Sequence, residues 1–81
     1  MAESNISVYS TELLLAILGS RDQHIRRIRD ALGARIAARD GSIHVEGDEQ
    51  AVIQTTAILE QLRSQAAQGE VTPEDVNRML M

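Results

Sequence analysis

A glycine-led turn followed by an arginine-rich segment is the part of this sequence best suited to binding a ligand. Gly19-Ser20-Arg21-Asp22 joins an apolar run, residues 13–18, to residues 24–29, which include three arginines. Glycine permits a positive φ or a close approach to a ligand, and the first turn of a following helix offers unpaired N–H groups at the positive end of its dipole. The turn is therefore typical of a phosphate-binding site, although the carboxylate of Asp22 disfavours an anion.

The distribution of charge places a basic segment inside an acidic chain. The formal net charge of −4 disfavours a general polyanion binder. Residues 21–39 nevertheless contain six arginines and two aspartates, for a formal charge of +4. Every cation is an arginine, whose planar guanidinium pairs well with phosphate or carboxylate. A compositional bias of the gene toward arginine is a simpler explanation for the absence of lysine.

Length and composition indicate one domain. The 81 residues are 43% apolar, which is enough for one small core, and they include no cysteine. The absence of cysteine fits a reducing cytoplasm, where we expect the protein, and the longest apolar run, residues 13–18, is too short to cross a bilayer. No lysine is present for a nucleotide-binding loop, and His24 and His44 lack a ligand-like spacing, so we expect both on the surface. We predict no catalytic residue, no metal and no cofactor in this chain.

Apolar periodicity and turn residues predict a β-α-α-β-β-α order with an extra helix. The predicted elements are a strand at 5–9, a helix to Leu18 capped by Ser10 or Thr11, a second helix capped by Ser20 or Asp22 and ended by Gly33, strands at 34–39 and 42–46, a helix at 49–67 capped by Asp48, and a last helix at 73–81. Val52, Thr55, Leu59, Leu62 and Ala66 should form the buried seam of the long helix.

Asp40-Gly41 is the strongest hairpin signal in the sequence and indicates a type I′ turn. A two-residue turn places Arg35 opposite Glu46 on one side of the hairpin and Ile36 opposite Val45 on the other. The side facing the core is predicted to contain Ala34, Ile36, Ala38, Ile43 and Val45.

The C-terminal region combines a strong helix start with an apolar end. Thr72-Pro73-Glu74-Asp75 provides an N-cap, a proline at the first helical position and two acids in the first turn. We expect residues 79–81 to form an exposed apolar patch. A helix that ends on Leu80-Met81 without a cap suggests an excised domain of a larger protein.

The middle of the chain resembles a type I KH domain. The resemblance rests on the apolar helix and turn of residues 15–22, on Ile25 and Ile28, and on Leu32-Gly33-Ala34-Arg35-Ile36; Ile43-x-Val45-x-Gly47 is similar to the third strand of that family. It covers about residues 6–67 and implies an α+β fold, β-α-α-β-β-α, with a three-stranded antiparallel sheet.

A narrower resemblance includes the extra helix at about 73–81. A Gly-x-x-Asp turn, Gly47-Asp48-Glu49 and Thr72-Pro73-Glu74-Asp75-Val76 look like the N-terminal domain of PhoH-like proteins, which precedes a P-loop ATPase domain. This resemblance implies that ATP and Mg²⁺ bind the parent protein, and that the ATPase domain is absent from this chain.

The KH resemblance implies a partner and a binding site. The partner would be single-stranded RNA, with the turn against the sugar-phosphate backbone and the bases on an apolar groove. Carried over by position, the nucleic-acid-binding residues are Gly19, Ser20, Arg21, Asp22, Arg26, Arg29, Arg35 and Ile36. Asp22 stands where the family has its second glycine, and a substitution of this kind should weaken RNA binding severely.

Two other readings remain open at the level of sequence. Arg26 is spaced to pair with Asp22 or Asp30, and Arg35 with Glu46, so these arginines would be neutralised within the chain. Alternatively, the fold would serve as a protein-interaction or oligomerisation module that has lost RNA binding, with basic and acidic regions pairing between copies.

Overall fold

The computed structural model describes residues 1–81 as three strands and four helices in a KH-like arrangement. The elements are β1 (Ala2–Ser7), α1 (Thr11–Leu18), a 3₁₀ turn (Ser20–Asp22), α2 (Gln23–Leu32), β2 (Arg35–Arg39), β3 (Ser42–Gly47), α3 (Glu49–Gln68) and α4 (Pro73–Leu80). The sheet is antiparallel with the order β1-β3-β2. The α+β fold and the extra helix are therefore as predicted. No helix combines the length and hydropathy needed to cross a membrane.

The β2–β3 hairpin forms in the predicted register. Arg35 pairs with Glu46 and Ile36 with Val45, around a turn in which Asp40 has a φ of 40° and Gly41 a φ of 78°. Two consecutive positive φ values are the requirement of a type I′ turn, and Asp-Gly meets it at low cost. The hairpin is thus specified locally.

Strand β1 begins earlier than predicted. It starts at Ala2 instead of Asn5, because its backbone pairs with β3 as far as Gly47, a tertiary contact that the local sequence does not reveal. Val8 follows the end of the strand, yet it is buried and its N–H donates to the carbonyl oxygen of Gly41.

The core lies between the helices and one face of the sheet. Ile43 and Val45 of the central strand are fully buried there, and α3 packs against β1 and β3. Ala38, predicted to face the core, is exposed instead, and Ile36 is half-buried. Strand β2 is at the edge of the sheet, where α2 is the only helix that contacts it.

Two of the predicted helix caps are absent. The hydroxyl of Ser10 accepts from the N–H of Leu13 as expected, but neither Asp22 nor Asp48 makes a side-chain cap to its helix. Asp22 has a left-handed backbone, with φ 60°, instead of the extended conformation of an N-cap. The seam of α3 at Val52, Thr55, Leu59 and Leu62 is buried as predicted, with Ala66 half-buried beside it.

Helix α4 packs on α2 and completes the core. Val71 and Val76 are buried, and Met79 and Leu80 pack against the same cluster, so the predicted exposed patch is wrong for these two residues. Only Met81 of that group is fully exposed. An amphipathic helix of eight residues gains most of its stability from such packing, which outweighs the exposure suggested by its terminal position.

Replacing Thr55 with valine should stabilise the protein. The Thr55 hydroxyl is fully buried without a hydrogen-bond partner. Because an unsatisfied buried polar group is costly, we expect Thr55→Val to raise the free energy of unfolding by about 1 kcal/mol. Urea denaturation followed by far-UV circular dichroism measures this change.

The neighbouring residue supplies a matched control. The Thr56 hydroxyl is 2.6 Å from that of Ser4, so Thr56→Val should lower the free energy of unfolding. Stabilisation of equal size in both variants would contradict the assignment of an unpartnered Thr55 hydroxyl.

The start of α4 should be sensitive to acid. The backbone N–H of Thr72 is the largest of the influences that lower the pKa of Asp75, and Thr72, Gln65 and Arg78 assist through their side chains. A carboxyl with a lowered pKa in the folded state stabilises the protein at neutral pH, and this contribution is lost as the pH falls through that pKa.

Asp75→Asn should therefore be less stable than the wild type at pH 7, and the difference should vanish in strong acid. Urea denaturation over a pH series measures both effects. Glu74→Gln, which changes an exposed acid in the same helical turn, is the control. A difference that stays constant with pH would contradict the capping role of the Asp75 carboxylate.

Candidate nucleic-acid interface

The turn between α1 and α2 leaves two backbone amides without an acceptor. The N–H of Gly19 donates to Leu15 at 2.9 Å and that of Asp22 donates to Gly19 at 3.1 Å. No turn, loop or cap hydrogen bond and no side-chain hydrogen bond uses the N–H of Ser20 or Arg21, and both residues are exposed. Two solvent-facing donors therefore lie side by side at the tip of the turn, available to an anion.

The turn holds its shape at a conformational cost. Arg21 and Asp22 have φ values of 53° and 60°, in the left-handed region that side chains disfavour. Each such residue costs about 1–2 kcal/mol, and this strain persists only where surrounding structure imposes it. Backbone strain of this kind is often found at binding sites.

A buried histidine supports the turn from behind. His24 is 3% exposed, and its Nε2 lies 3.2 Å from the carbonyl oxygen of Val71. A Cβ added at Gly19 would lie 2.6 Å from the His24 ring, so the ring occupies the space beside the glycine. The prediction that His24 lies on the surface is wrong. The sequence does contain a signal for this burial, because His24 lies four residues before the apolar Ile28 and therefore on the same face of the helix.

The arginines near the turn differ in how far they are neutralised. Arg21 and Arg26 are exposed and form no ion pair, whereas Arg29 pairs with Asp30 at 3.2 Å. The predicted pairs of Arg26 with Asp22 and Asp30 do not form. The Asp22 carboxylate is likewise exposed and unpaired. Arg21 and Arg26 are therefore the free cations of the predicted site, with Asp22 opposing them.

The other two predicted site residues lie on opposite faces of β2. Arg35 points away from the helices and its Nη2 lies 3.2 Å from Glu46 Oε1, as expected from the register. Ile36 lies on the helix side, half-buried against the core. Side chains alternate along a strand, so these neighbours cannot contact one ligand in the same groove. The structure leaves Arg35 outside the surface formed by the turn and α2.

The surface around the turn is open instead of enclosed. The three cavities of the chain lie elsewhere, at β1 and α3, between Ser10 and the end of α3, and between α2 and α4. None is lined by residues 19–22, Arg26, Arg29 or Ile36. Any ligand here would bind through exposed donors and charges, which suits an extended polyanion better than a small molecule.

Comparison with known proteins supports the fold. Over its whole length the chain is similar to part of the crystal structure of Dim2p from Pyrococcus horikoshii OT3, with a TM-score of 0.76 and 16% sequence identity. It spans about half of that protein, 49% of its chain. No family model and no curated protein matches the sequence. At this identity the likeness shows a shared KH-like fold, and it assigns no ligand.

Gly19→Ala should destabilise the protein more than Gly33→Ala does. Both glycines have a φ of 78°, but Gly33 has a ψ of 11°, in the left-handed helical region, whereas Gly19 has a ψ of 170°, in a region almost restricted to glycine, so alanine is more strained at position 19 even before the ring is considered. A Cβ at Gly33 meets nothing within 4 Å, whereas one at Gly19 overlaps the His24 ring. We expect about 1–3 kcal/mol of further destabilisation at Gly19, measured by urea denaturation. Equal losses in the two variants would show that the ring does not restrict this position.

Proposed function

We propose that this chain is a KH-like accessory domain that binds single-stranded RNA, and that it belongs to a PhoH-like protein whose ATPase domain lies outside the chain. The observation that carries the RNA-binding proposal is the pair of free amides at Ser20 and Arg21, between two helices of a KH-like fold. The resemblance of residues 47–49 and 72–76 to PhoH-like proteins supports the parent protein. ATP and Mg²⁺ would bind the absent domain, since this chain has no lysine.

The proposed contacts use the backbone for position and side chains for charge. The amides of Ser20 and Arg21 donate to phosphate oxygens, and the guanidinium groups of Arg21 and Arg26 add charge-assisted hydrogen bonds. Leu15, 61% exposed one helical turn before Gly19, and half-buried Ile36 offer apolar surface to bases. Such contacts distinguish sequences poorly, so we expect binding that tolerates many sequences.

Asp22 should lower the affinity of the chain for RNA. Its carboxylate is exposed beside the free amides, and two unit charges 4 Å apart in water interact by about 1 kcal/mol. Repulsion of this size weakens a phosphate contact by about fivefold without preventing it. A weak contact is consistent with an accessory domain that acts together with a stronger site elsewhere in the same protein.

Titration of a labelled single-stranded RNA, followed by fluorescence anisotropy at several salt concentrations, tests the proposal. Asp22→Gly should bind about fivefold more tightly than the wild type, because it removes the repulsion between the carboxylate and a phosphate. Arg21→Gln should bind more weakly and reduce the slope of log K against log salt by about 0.7 per lost phosphate contact.

Arg35→Gln is the matched control, since it removes the same charge from the opposite face of the sheet and should leave the salt slope unchanged. Failure of the wild type and Asp22→Gly to bind RNA at low salt would rule out the proposal. An equal effect of Arg21→Gln and Arg35→Gln would show that the turn is not the binding site.

One observation favours the second candidate function, a protein-interaction or oligomerisation module. A groove of about 500 Å³ lies between β1 and α3, and Val52 and Ile53 are among the apolar residues that line it. Ile53 is 56% exposed, and Glu49 and Glu60 of α3 also line the groove. These acids complement the basic α2 region of a second copy. If no RNA binds, a molar mass that rises with concentration and falls with salt in light scattering would support this alternative.

A further inference from the structure

The face of the sheet that points away from the helices carries a cluster of metal-ligating side chains. Ile43 and Val45 point into the core, so His44 and Glu46 point outward from the same strand. Glu3 of β1 lies directly opposite Glu46. One ligand atom from each of Glu3, His44 and Glu46 lies within 4.8 Å of the other two.

The imidazole of His44 is held in the orientation that a metal requires. Its Nδ1 lies 3.0 Å from Oδ1 of Asn5, the cross-strand partner of His44. An amide oxygen only accepts hydrogen bonds, so Nδ1 donates to Asn5, and in the neutral imidazole the lone pair is then on Nε2. Nε2 faces Glu46 Oε2 at 3.8 Å. A fixed Nδ1–H with a free Nε2 is the usual arrangement of a metal-binding histidine.

The carboxylates of Glu3 and Glu46 repel each other, so a cation between them would be stabilising. Glu3 and Glu46 are directly opposite on neighbouring antiparallel strands, where like charges destabilise the pairing. Arg35 compensates in part through Glu46 Oε1, which leaves Oε2 directed toward His44. The charge of Glu3 has no such partner in the structure. A dication between Glu3, His44 and Glu46 would neutralise both carboxylates.

We propose that Glu3, His44 and Glu46 bind a divalent transition metal, with zinc as the representative ion, on the outer face of the sheet. Ligand atoms of a tetrahedral zinc ion lie about 3.3 Å apart for bonds of about 2.0–2.1 Å, so small side-chain rotations suffice from the separations observed. The imidazole nitrogen favours zinc, copper or nickel over Mg²⁺ and Ca²⁺, which prefer oxygen ligands only. Water completes the coordination.

Such an ion would join the edge strand to the centre of the sheet. Glu3 belongs to β1, whereas His44 and Glu46 belong to β3. The proposal is independent of RNA binding, because the cluster and the turn at residues 19–22 lie on opposite sides of the sheet. Metal bound to the folded protein and not to the unfolded chain would also raise its thermal stability.

Calorimetric titration of the whole chain with ZnCl₂ tests the proposal. We expect one ion per chain, a zinc-dependent rise in the melting temperature, and a zinc-dependent shift of the His44 ring signals in NMR spectra. His44→Gln and Glu3→Gln should each lose at least about tenfold in affinity, and Asn5→Ala should lose about tenfold because the ring is no longer oriented. MgCl₂ should produce none of these changes.

Two further variants make the outcome decisive. Arg35→Gln should bind zinc more tightly than the wild type, since it removes a cation that competes for Glu46. Glu12→Gln, an exposed acid in the first turn of α1, should bind as the wild type does. Zinc binding that is unchanged in His44→Gln, or that leaves the His44 ring signals unmoved, would overturn the proposal. Far-UV circular dichroism verifies that each variant is folded.

Discussion

The pairing of β3 with a strand on each side is the constraint from which the rest of the structure follows. Ile43 and Val45 are fully buried under the helices. Because side chains alternate along a strand, His44 and Glu46 must point to the opposite face of the sheet. Strand register then assigns β1 and β2 residues to the same two faces. One face builds the core and the apolar side of the KH-like surface, and the other becomes a polar surface with its own chemistry.

Local features of this fold could be predicted from sequence because they depend on neighbours in the chain. The Asp40-Gly41 turn specifies the hairpin and its register, and Thr72 with Pro73 specifies the start of α4. Features that depend on distant partners could not be predicted in the same way. The start of β1 depends on β3, and the burial of Met79 and Leu80 depends on the packing of α4 against the core.

The candidate site shows the same division. The turn, its glycine and its place between two helices followed from the motif, but the free amides of Ser20 and Arg21 required coordinates. Arg35 is different, because the predicted hairpin already placed it opposite Glu46 and away from Ile36. Alternation along β2 therefore separates Arg35 from Ile36, although the family resemblance assigns both to one site. The burial of His24 could also have been predicted from sequence, since Ile28 lies one turn further along the same helix face.

The contact of His24 with both Gly19 and Val71 makes the stiffness of the turn a property of tertiary structure. Gly19 and Val71, which are far apart in sequence, meet at one imidazole ring, and the hydrogen bond from Arg27 to Asn77 joins α2 to α4. Helix α4 therefore acts as a buttress for a turn some fifty residues away in sequence, although the KH-like core lacks this helix. Val71 immediately precedes α4, so a displacement of that helix would shift the His24 ring against Gly19, which couples the shape of the turn to the position of the C-terminal helix.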